Sequence, residues 1–174
     1  MLNKAYVEII NQCNLRCSFC PQTARPPRQM RAAEFETIAR ALKGHVRFLY
    51  LHVMGEPLTH PELGEILDCA AAEGFRVCIT TNGTLLSARR GLLEEKAAVL
   101  HKVSISLHAP EGSGAALDLK DYLAVVWDFC AAVRRKGVHC ALRLWNGGGA
   151  QRRNEEILRF LQEKIGVDPM ILPR

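Results

Sequence analysis

Apolar positions along the chain switch repeatedly between a spacing of two and a spacing of three to four, the periods of strand and helix. Tyr6-Val7-Glu8-Ile9-Ile10 is a short β-prone run that stops at a cysteine-bearing loop. Phe35, Ile38, Ala39 and Leu42 then fall on one helical stripe, and Gly44 follows as a C-terminal cap. Phe48 to Val53 predicts a second strand, ended by Gly55 and Pro57. Leu63, Ile66, Leu67 and Ala70 line the next helix, with Pro61 suited to its first turn and Gly74 to its end. Phe75 to Thr81 and Val103 to Leu107 read as further strands, separated by a weaker helix from Leu85 to Leu100 that Gly91 interrupts. Leu119, Tyr122, Leu123, Val126 and Val133 mark a long amphipathic helix capped near Gly137. Val138 to Leu144 is a fifth strand, and Ile157, Phe160, Leu161 and Lys164 belong to a last helix.

Strand and helix alternating in this way imply parallel strands joined by right-handed crossovers, either in an open doubly wound sheet or in a (β/α) barrel. In both architectures ligands bind beyond the carboxyl ends of the strands. The chemically unusual segments fall at that end: the cysteine loop, Met54-Gly55-Glu56-Pro57, Thr81-Asn82-Gly83, His108 and Asn146-Gly147-Gly148-Gly149. The connection between the first strand and first helix is about 22 residues long, carries Pro21, Pro26 and Pro27, and shows neither period. A connection of that length inside a compact domain is commonly a functional loop.

Composition narrows the class without naming a reaction. A length of 174 residues favours one domain, and 48% apolar with 24% charged residues is ordinary for a globular protein. No apolar run approaches the ~20 residues of a membrane helix. The start, Met1-Leu2-Asn3-Lys4, lacks the pattern of a signal peptide, so a cytoplasmic protein with no membrane partner is expected. The net charge of +5 is spread over Arg25, Arg28 and Arg31, over Arg89 and Arg90, over Arg134, Arg135 and Lys136, and over Arg152 and Arg153. Such runs read as solvated helix faces, and the few aromatic residues do not interleave with them, so nucleic acid is not an expected partner.

The seven cysteines are an odd number and do not suggest a disulfide framework. Cys69, Cys78, Cys130 and Cys140 stand alone in apolar stretches and read as small buried hydrophobes. Among the histidines, His52 and His108 lie where they could face a barrel mouth, although a strand histidine is more often a hydrogen-bonded core group. His45, His60, His101 and His139 sit at element ends and read as surface or capping residues.

Chemistry concentrates in Cys13-Asn14-Leu15-Arg16-Cys17-Ser18-Phe19-Cys20, a C-x3-C-x2-C arrangement of soft thiolate ligands suited to iron–sulfur clusters or zinc. A structural zinc site takes four protein ligands, and no fourth cysteine or histidine follows nearby. Cys17-Ser18-Phe19-Cys20-Pro21 also fits a thiol-redox motif, in which Cys13 would be superfluous. Three thiolates on a 4Fe–4S cluster would leave one iron without a protein ligand. Cluster, dithiol and zinc are thus the three readings of the residues themselves.

Cys13, Cys17, Phe19 and Cys20 resemble the cluster loop of the radical S-adenosylmethionine (radical SAM) superfamily, including the aromatic residue before the third cysteine. Further matches follow in order along the chain. Gly55, Glu56 and Pro57 look like the family's Gly-Gly-Glu-Pro segment, with Met54 where glycine is usual. Thr81-Asn82-Gly83 is similar to its Thr-Asn-Gly segment, and Ser104 and Ser106 resemble its serine pair; read alone, these are a turn and simple strand packing. By position, Arg143 and Leu144 would lie near the adenosyl end, with Arg143 a partner for the cofactor carboxylate.

The resemblance implies an α/β fold, a partial (β/α)6 TIM-like barrel of which about five strand–helix units are found. Residues 1–174 would then be the core domain, apparently short of its last strand and of any C-terminal auxiliary-cluster domain. It also implies a 4Fe–4S cluster held by Cys13, Cys17 and Cys20, and S-adenosylmethionine contacted by Phe19, Gly55, Glu56, Pro57, Thr81, Asn82, Ser104, Ser106, Arg143 and Leu144. The implied reaction is reductive cleavage to a 5′-deoxyadenosyl radical that abstracts hydrogen from a substrate, fed by a flavodoxin- or ferredoxin-like one-electron donor. Spacing is most like the barrels of SPASM-type enzymes, which commonly modify peptides or proteins. Such a protein would be oxygen-sensitive; the alternatives are a truncated remnant that binds cluster and cofactor without turnover, or a C-x-x-C thiol-redox or zinc-binding protein. The fifth strand would expose an edge inviting self-association.

Overall fold

The computed structural model describes residues 2–108, 118–144 and 154–165. Its strands are β1 (Lys4–Tyr6), β2 (Phe48–Tyr50), β3 (Arg76–Thr81), β4 (Leu100–Ser106) and β5 (His139–Arg143). They form one sheet in the order β1-β2-β3-β4-β5, parallel at every pairing. That order decides between the two architectures left open by the alternating periods. A doubly wound sheet reverses its strand order at a switch point, whereas here every crossover steps one place in the same direction. Successive right-handed crossovers of that kind keep the helices on one face and curl the sheet into a barrel wall. Among the described residues β1 and β5 remain edges, so the structure is an open partial barrel.

The helices are α1 (Ala32–Leu42), α2 (Leu63–Ala72), α3 (Leu86–Glu95), α4 (Leu119–Arg134) and α5 (Asn154–Ile165). Their apolar stripes carry Phe35, Ile66, Leu93 and Val126 onto Leu49, Val77, Ile79, Val103 and Ile105 of the strands, forming one core. The α4 entrance is capped by Asp118, which accepts from the N–H groups of Lys120 and Asp121 at 2.9 and 3.0 Å. Gly44, Gly74 and Gly137 follow α1, α2 and α4 with φ near +80°, as the helix-stop reading requires.

Several boundaries differ from the sequence reading. Pro61 lies ahead of the N-cap Glu62, outside the first turn of α2. Helix α3 ends at Glu95, because tight turns return the Val99 N–H to the Lys96 carbonyl and the Leu100 N–H to the Ala97 carbonyl. Those turns let buried Leu100 start β4, three residues before the expected Val103. Gly91 does not interrupt the helix. The first strand stops at Tyr6, yet its continuation is held: the Val7 N–H donates to the Tyr50 carbonyl at 2.8 Å, and Ile10 pairs antiparallel with Gln29. That bridge pinches shut the base of the long loop.

His60 is fully buried, with ring nitrogens 2.9 Å from the Met30 carbonyl and 3.1 Å from the Glu62 N–H. It is therefore a core link between the loop and α2, not a surface group. Cys78 is buried, whereas Cys69, Cys130 and Cys140 are half-buried. Cys130 hydrogen-bonds Cys140 across α4 and β5, which pushes the Cys130 thiol up and holds Cys140 below its usual range. Among the described residues no helix is long and apolar enough to cross a membrane. Arg152 and Arg153, the Asn146-Gly147-Gly148-Gly149 segment and the final Pro173-Arg174 lie outside the described residues.

Candidate cluster and cofactor site

The loop that follows β1 brings Cys13, Cys17 and Cys20 to the wall of one pocket of about 420 Å³, which Leu15, Met54 and Gly55 also line. A turn fixes the last two, the Cys20 N–H reaching the Cys17 carbonyl at 3.0 Å. Cys13 and Cys20 are exposed and Cys17 is half-exposed, unlike cysteines used for packing. Burial raises the Cys13 and Cys17 thiols above their usual range; the Glu56 charge and then Cys20 raise Cys13 further, and the neighbouring thiols raise Cys17. Three thiolates at this spacing ionise together only against compensating positive charge. Among the described residues no three His, Cys, Asp or Glu side chains form a group that could hold one metal ion. The sulfurs share a pocket without converging on a point, an arrangement suited to a cluster whose thiolates each bind a different iron.

Beside the cysteines the rim is a tied set of loops. Gly55 has a φ of +79°, and a Cβ there would strike the Ile10 carbonyl oxygen and lie 2.8 Å from that of Gln12. Only glycine permits this approach, which seats the segment after β2 directly on the root of the cysteine loop. Next to it, the Glu56 N–H donates to the Gln12 carbonyl at 2.9 Å.

The Glu56 side chain turns inward and is 2% exposed. Its oxygens accept from the Leu58 N–H at 3.0 Å and the Asn82 N–H at 2.7 Å. Burial raises its carboxyl above the usual range, outweighing these N–H groups and the Thr81 hydroxyl. Pro57, also buried, opens the short 3-10 turn Pro57–Thr59 that Glu56 caps. Thus Met54 and Gly55 reach the pocket from this segment, while Glu56 and Pro57 brace it from behind.

Asn82 carries the brace to the cysteines. Its amide donates to the Asn14 side-chain oxygen at 2.8 Å and lies 3.8 Å from the Cys13 sulfur. Thr81 is buried, and its hydroxyl accepts from the Gly83 N–H at 3.0 Å. On β4, Ser104 and Ser106 share the face opposite the helices; Ser104 stands level with Thr80 and Ala141, and Ser106 with Arg143. Arg143 is exposed, and Leu144 packs partly buried against the core. The Phe19 ring meets His108 edge-on at 4.7 Å, which ties the cysteine loop to the end of β4.

The sequence profile of the radical SAM superfamily matches residues 7–161. The chain belongs to that superfamily. Radical SAM proteins use a 4Fe–4S cluster and S-adenosylmethionine. This radical SAM chain is 36% identical over 109 residues to GTP 3′,8-cyclase of Chlorobaculum tepidum, covering 58% of the chain and 31% of the relative. It is 33% identical over 149 residues to GTP 3′,8-cyclase 2 of Mycobacterium bovis, covering 78% of the chain and 40% of the relative. It therefore spans between about a third and two-fifths of those relatives' lengths. Among solved structures, SPASM-type SuiB of Streptococcus suis bound to S-adenosylmethionine aligns with a TM-score of 0.71 at 18% identity. That alignment covers 93% of this chain and 38% of SuiB, and it shows a shared fold.

Several residues that position this candidate site carry little signal in the sequence. Glu8 accepts from the Met54 N–H at 2.8 Å and pairs with Arg25 at 2.7 Å. Burial lifts its carboxyl, but Arg25 and the Met54 N–H overcome this and hold it below the usual range. Its clue was a charged residue inside an apolar run. Tyr122 reads as a core position of α4, yet its hydroxyl donates to the Asn82 carbonyl at 2.9 Å, with the Ser106 carbonyl 3.3 Å away. Asn14 joins Asn82 to the Thr84 hydroxyl at 2.9 Å, and only its place between two cysteines hinted at a role.

Proposed function

We propose that Cys13, Cys17 and Cys20 hold a 4Fe–4S cluster and that the protein acts as a radical SAM enzyme. When bound, the reduced cluster and S-adenosylmethionine would supply, with release of methionine, a 5′-deoxyadenosyl radical able to take a hydrogen atom from the substrate. The observation that carries the reading is that three partly exposed thiols line one pocket, with Met54 and Gly55 in the same wall.

The chain's own residues give that chemistry its frame. Gly55 brings main-chain carbonyls to the pocket wall, where a cofactor ammonium group would find acceptors. Glu56, with both oxygens engaged, holds the Gly55 and Asn82 loops at a fixed separation instead of reaching the cofactor itself. Asn82 and Asn14 fix the position of Cys13. Ser106 and Arg143 stand side by side at the inner rim, where they would meet the polar end of a bound nucleoside. Phe19 against His108 closes the loop over that side and limits water entry. Reduction would come from a flavodoxin- or ferredoxin-like donor, and the β5 edge, which has no strand partner among the described residues, would offer backbone groups to a second copy.

Anaerobic reconstitution with iron and sulfide tests this. The expected result is a 4Fe–4S spectrum that changes on addition of S-adenosylmethionine, with 5′-deoxyadenosine released on reduction. Cys13→Ala, Cys17→Ala and Cys20→Ala should each abolish cluster loading while leaving the far-ultraviolet circular dichroism intact. A spectral response without cleavage would reduce the protein to a binding remnant. Absence of iron uptake would overturn the cluster reading.

A further inference from the structure

Below the cysteine rim, the inner face of the sheet carries a layer of side chains that neither the cluster loop nor the core uses. Register pairing aligns Tyr6, Tyr50, Cys78, Lys102 and His139 across the strands, with His52 and Thr80 one step nearer the cysteines. These side chains touch. The Tyr6 and Tyr50 rings lie 4.9 Å apart, and His52 sits 5.7 Å from the first and 5.9 Å from the second. The Lys4 ammonium is 5.5 and 5.4 Å from the two tyrosine rings, and that of Lys102 is 5.8 Å from Tyr50. Tyr6 is 52% exposed, an unusual amount for an aromatic residue on a barrel wall, and so offers open ring surface.

Among the described residues, the strand side chains of this face carry charge of one sign. None of the five strands contains an Asp or Glu, yet Lys4, Arg76, Lys102 and Arg143 all share the inner face. The carboxylate at its upper edge, Glu8, is already spent on Arg25 and the Met54 N–H. Arg76 gives one N–H to the Leu100 carbonyl, but its Nε is buried without a partner, as is Nδ1 of His52. Burial, with Arg143 and Lys102 nearby, lowers His52 to about 4, so it adds a neutral donor and acceptor. A concave wall of one sign concentrates ligands of the opposite sign, and the ring surface that Tyr6 leaves exposed can take another planar group.

We propose that this face is the substrate platform and that the substrate is an anionic small molecule bearing a planar aromatic ring. The ring packs on Tyr6 and Tyr50, and the anionic group lies between Lys4 and Lys102. That the ligand is the substrate rests on the radical-enzyme reading; the preference for an aromatic anion does not.

Ligand-detected NMR titration of the full chain, without S-adenosylmethionine or reductant, tests the platform with single-ring probes. Phenyl phosphate should bind about tenfold tighter than phenyltrimethylammonium or benzyl alcohol, and about threefold tighter than inorganic phosphate. Lys102→Met should weaken phenyl phosphate about tenfold, with Lys102→Arg restoring most of it and Lys43→Met, outside the sheet, without effect. Tyr6→Ala should erase the advantage of phenyl phosphate over inorganic phosphate. If Lys102→Met does not fold, Lys4→Met at the sheet edge gives the same readout. Equal binding of the cationic, neutral and anionic rings, or equal losses in Lys102→Met and Lys43→Met, would overturn the proposal. Failure of cluster loading would sink the enzymatic reading while leaving these titrations untouched, and the reverse outcome would sink the platform alone.

Discussion

Ile79 and Thr80 are neighbours in β3 and look in opposite directions. Ile79 is fully buried among the helices, while Thr80 faces the inside of the partial barrel, its hydroxyl 3.1 Å from His52. The same division runs through the sheet. One set of alternate residues is Leu49, Val77, Ile79, Val103 and Ile105, all in the core. The other is Tyr50, Cys78, Thr80, Lys102 and Ser104, which is polar, aromatic or basic. Stability is written on the first face and recognition on the second, and strand pleating lets the two be chosen independently.

The largest expected effect breaks that comparison if it is wrong. Ile79→Ala removes a buried side chain from the core and should cost about 2–5 kcal/mol of stability. Thr80→Ala, one residue away, loses a single half-buried hydrogen bond and should cost about 0.5–1.5 kcal/mol. Urea denaturation of the two variants measures the difference. Equal losses would show that the inner face is structural as well.

This division explains what could be read from the sequence. The outer face was legible because burial leaves a period: Leu63, Ile66, Leu67 and Ala70, or Leu119, Tyr122, Leu123 and Val126, are all buried where their spacing placed them. The superfamily was legible because Cys13, Cys17 and Cys20 are close in sequence and chemically unusual. The inner platform was not, since Tyr6, Tyr50 and Lys102 lie far apart in the chain and meet only through register. Nor was the inward turn of Glu56, because a Gly-Glu-Pro segment does not say where its carboxylate points. His60 failed for the same reason: an element end is exposed only if nothing folds over it, and here the loop around Met30 does.

The rim sharpens the contrast, since it mixes burial with polarity. Glu56→Ala would leave the buried N–H groups of Leu58 and Asn82 without their acceptor, at a cost of about 2–4 kcal/mol. Urea denaturation should show that loss together with impaired cluster loading, because Asn82 also steadies Cys13. A loss under about 0.5 kcal/mol would mean that the apolar face alone holds the rim.

The smallest effect concerns His52, where the inner face carries a stability cost of its own. Burial, then the charges of Arg143 and Lys102, lower its imidazole from 6.5 to about 4. Between those values the unfolded chain binds a proton that the folded chain refuses. Stability therefore rises with pH across that window and is flat above it with respect to this group. The ring is only partly shielded, so solvent screening reduces the contribution to about 1–2 kcal/mol. Comparing the native protein with His52→Gln by urea denaturation at about pH 4.5 and about pH 7.5 isolates it from the carboxylates that titrate nearby. The variant should lose less stability on acidification. Added salt should shrink the difference modestly, since it screens Arg143 and Lys102 but not burial. Identical pH slopes would place His52 in water, and the face it stands on would then be an open surface instead of a barrel wall.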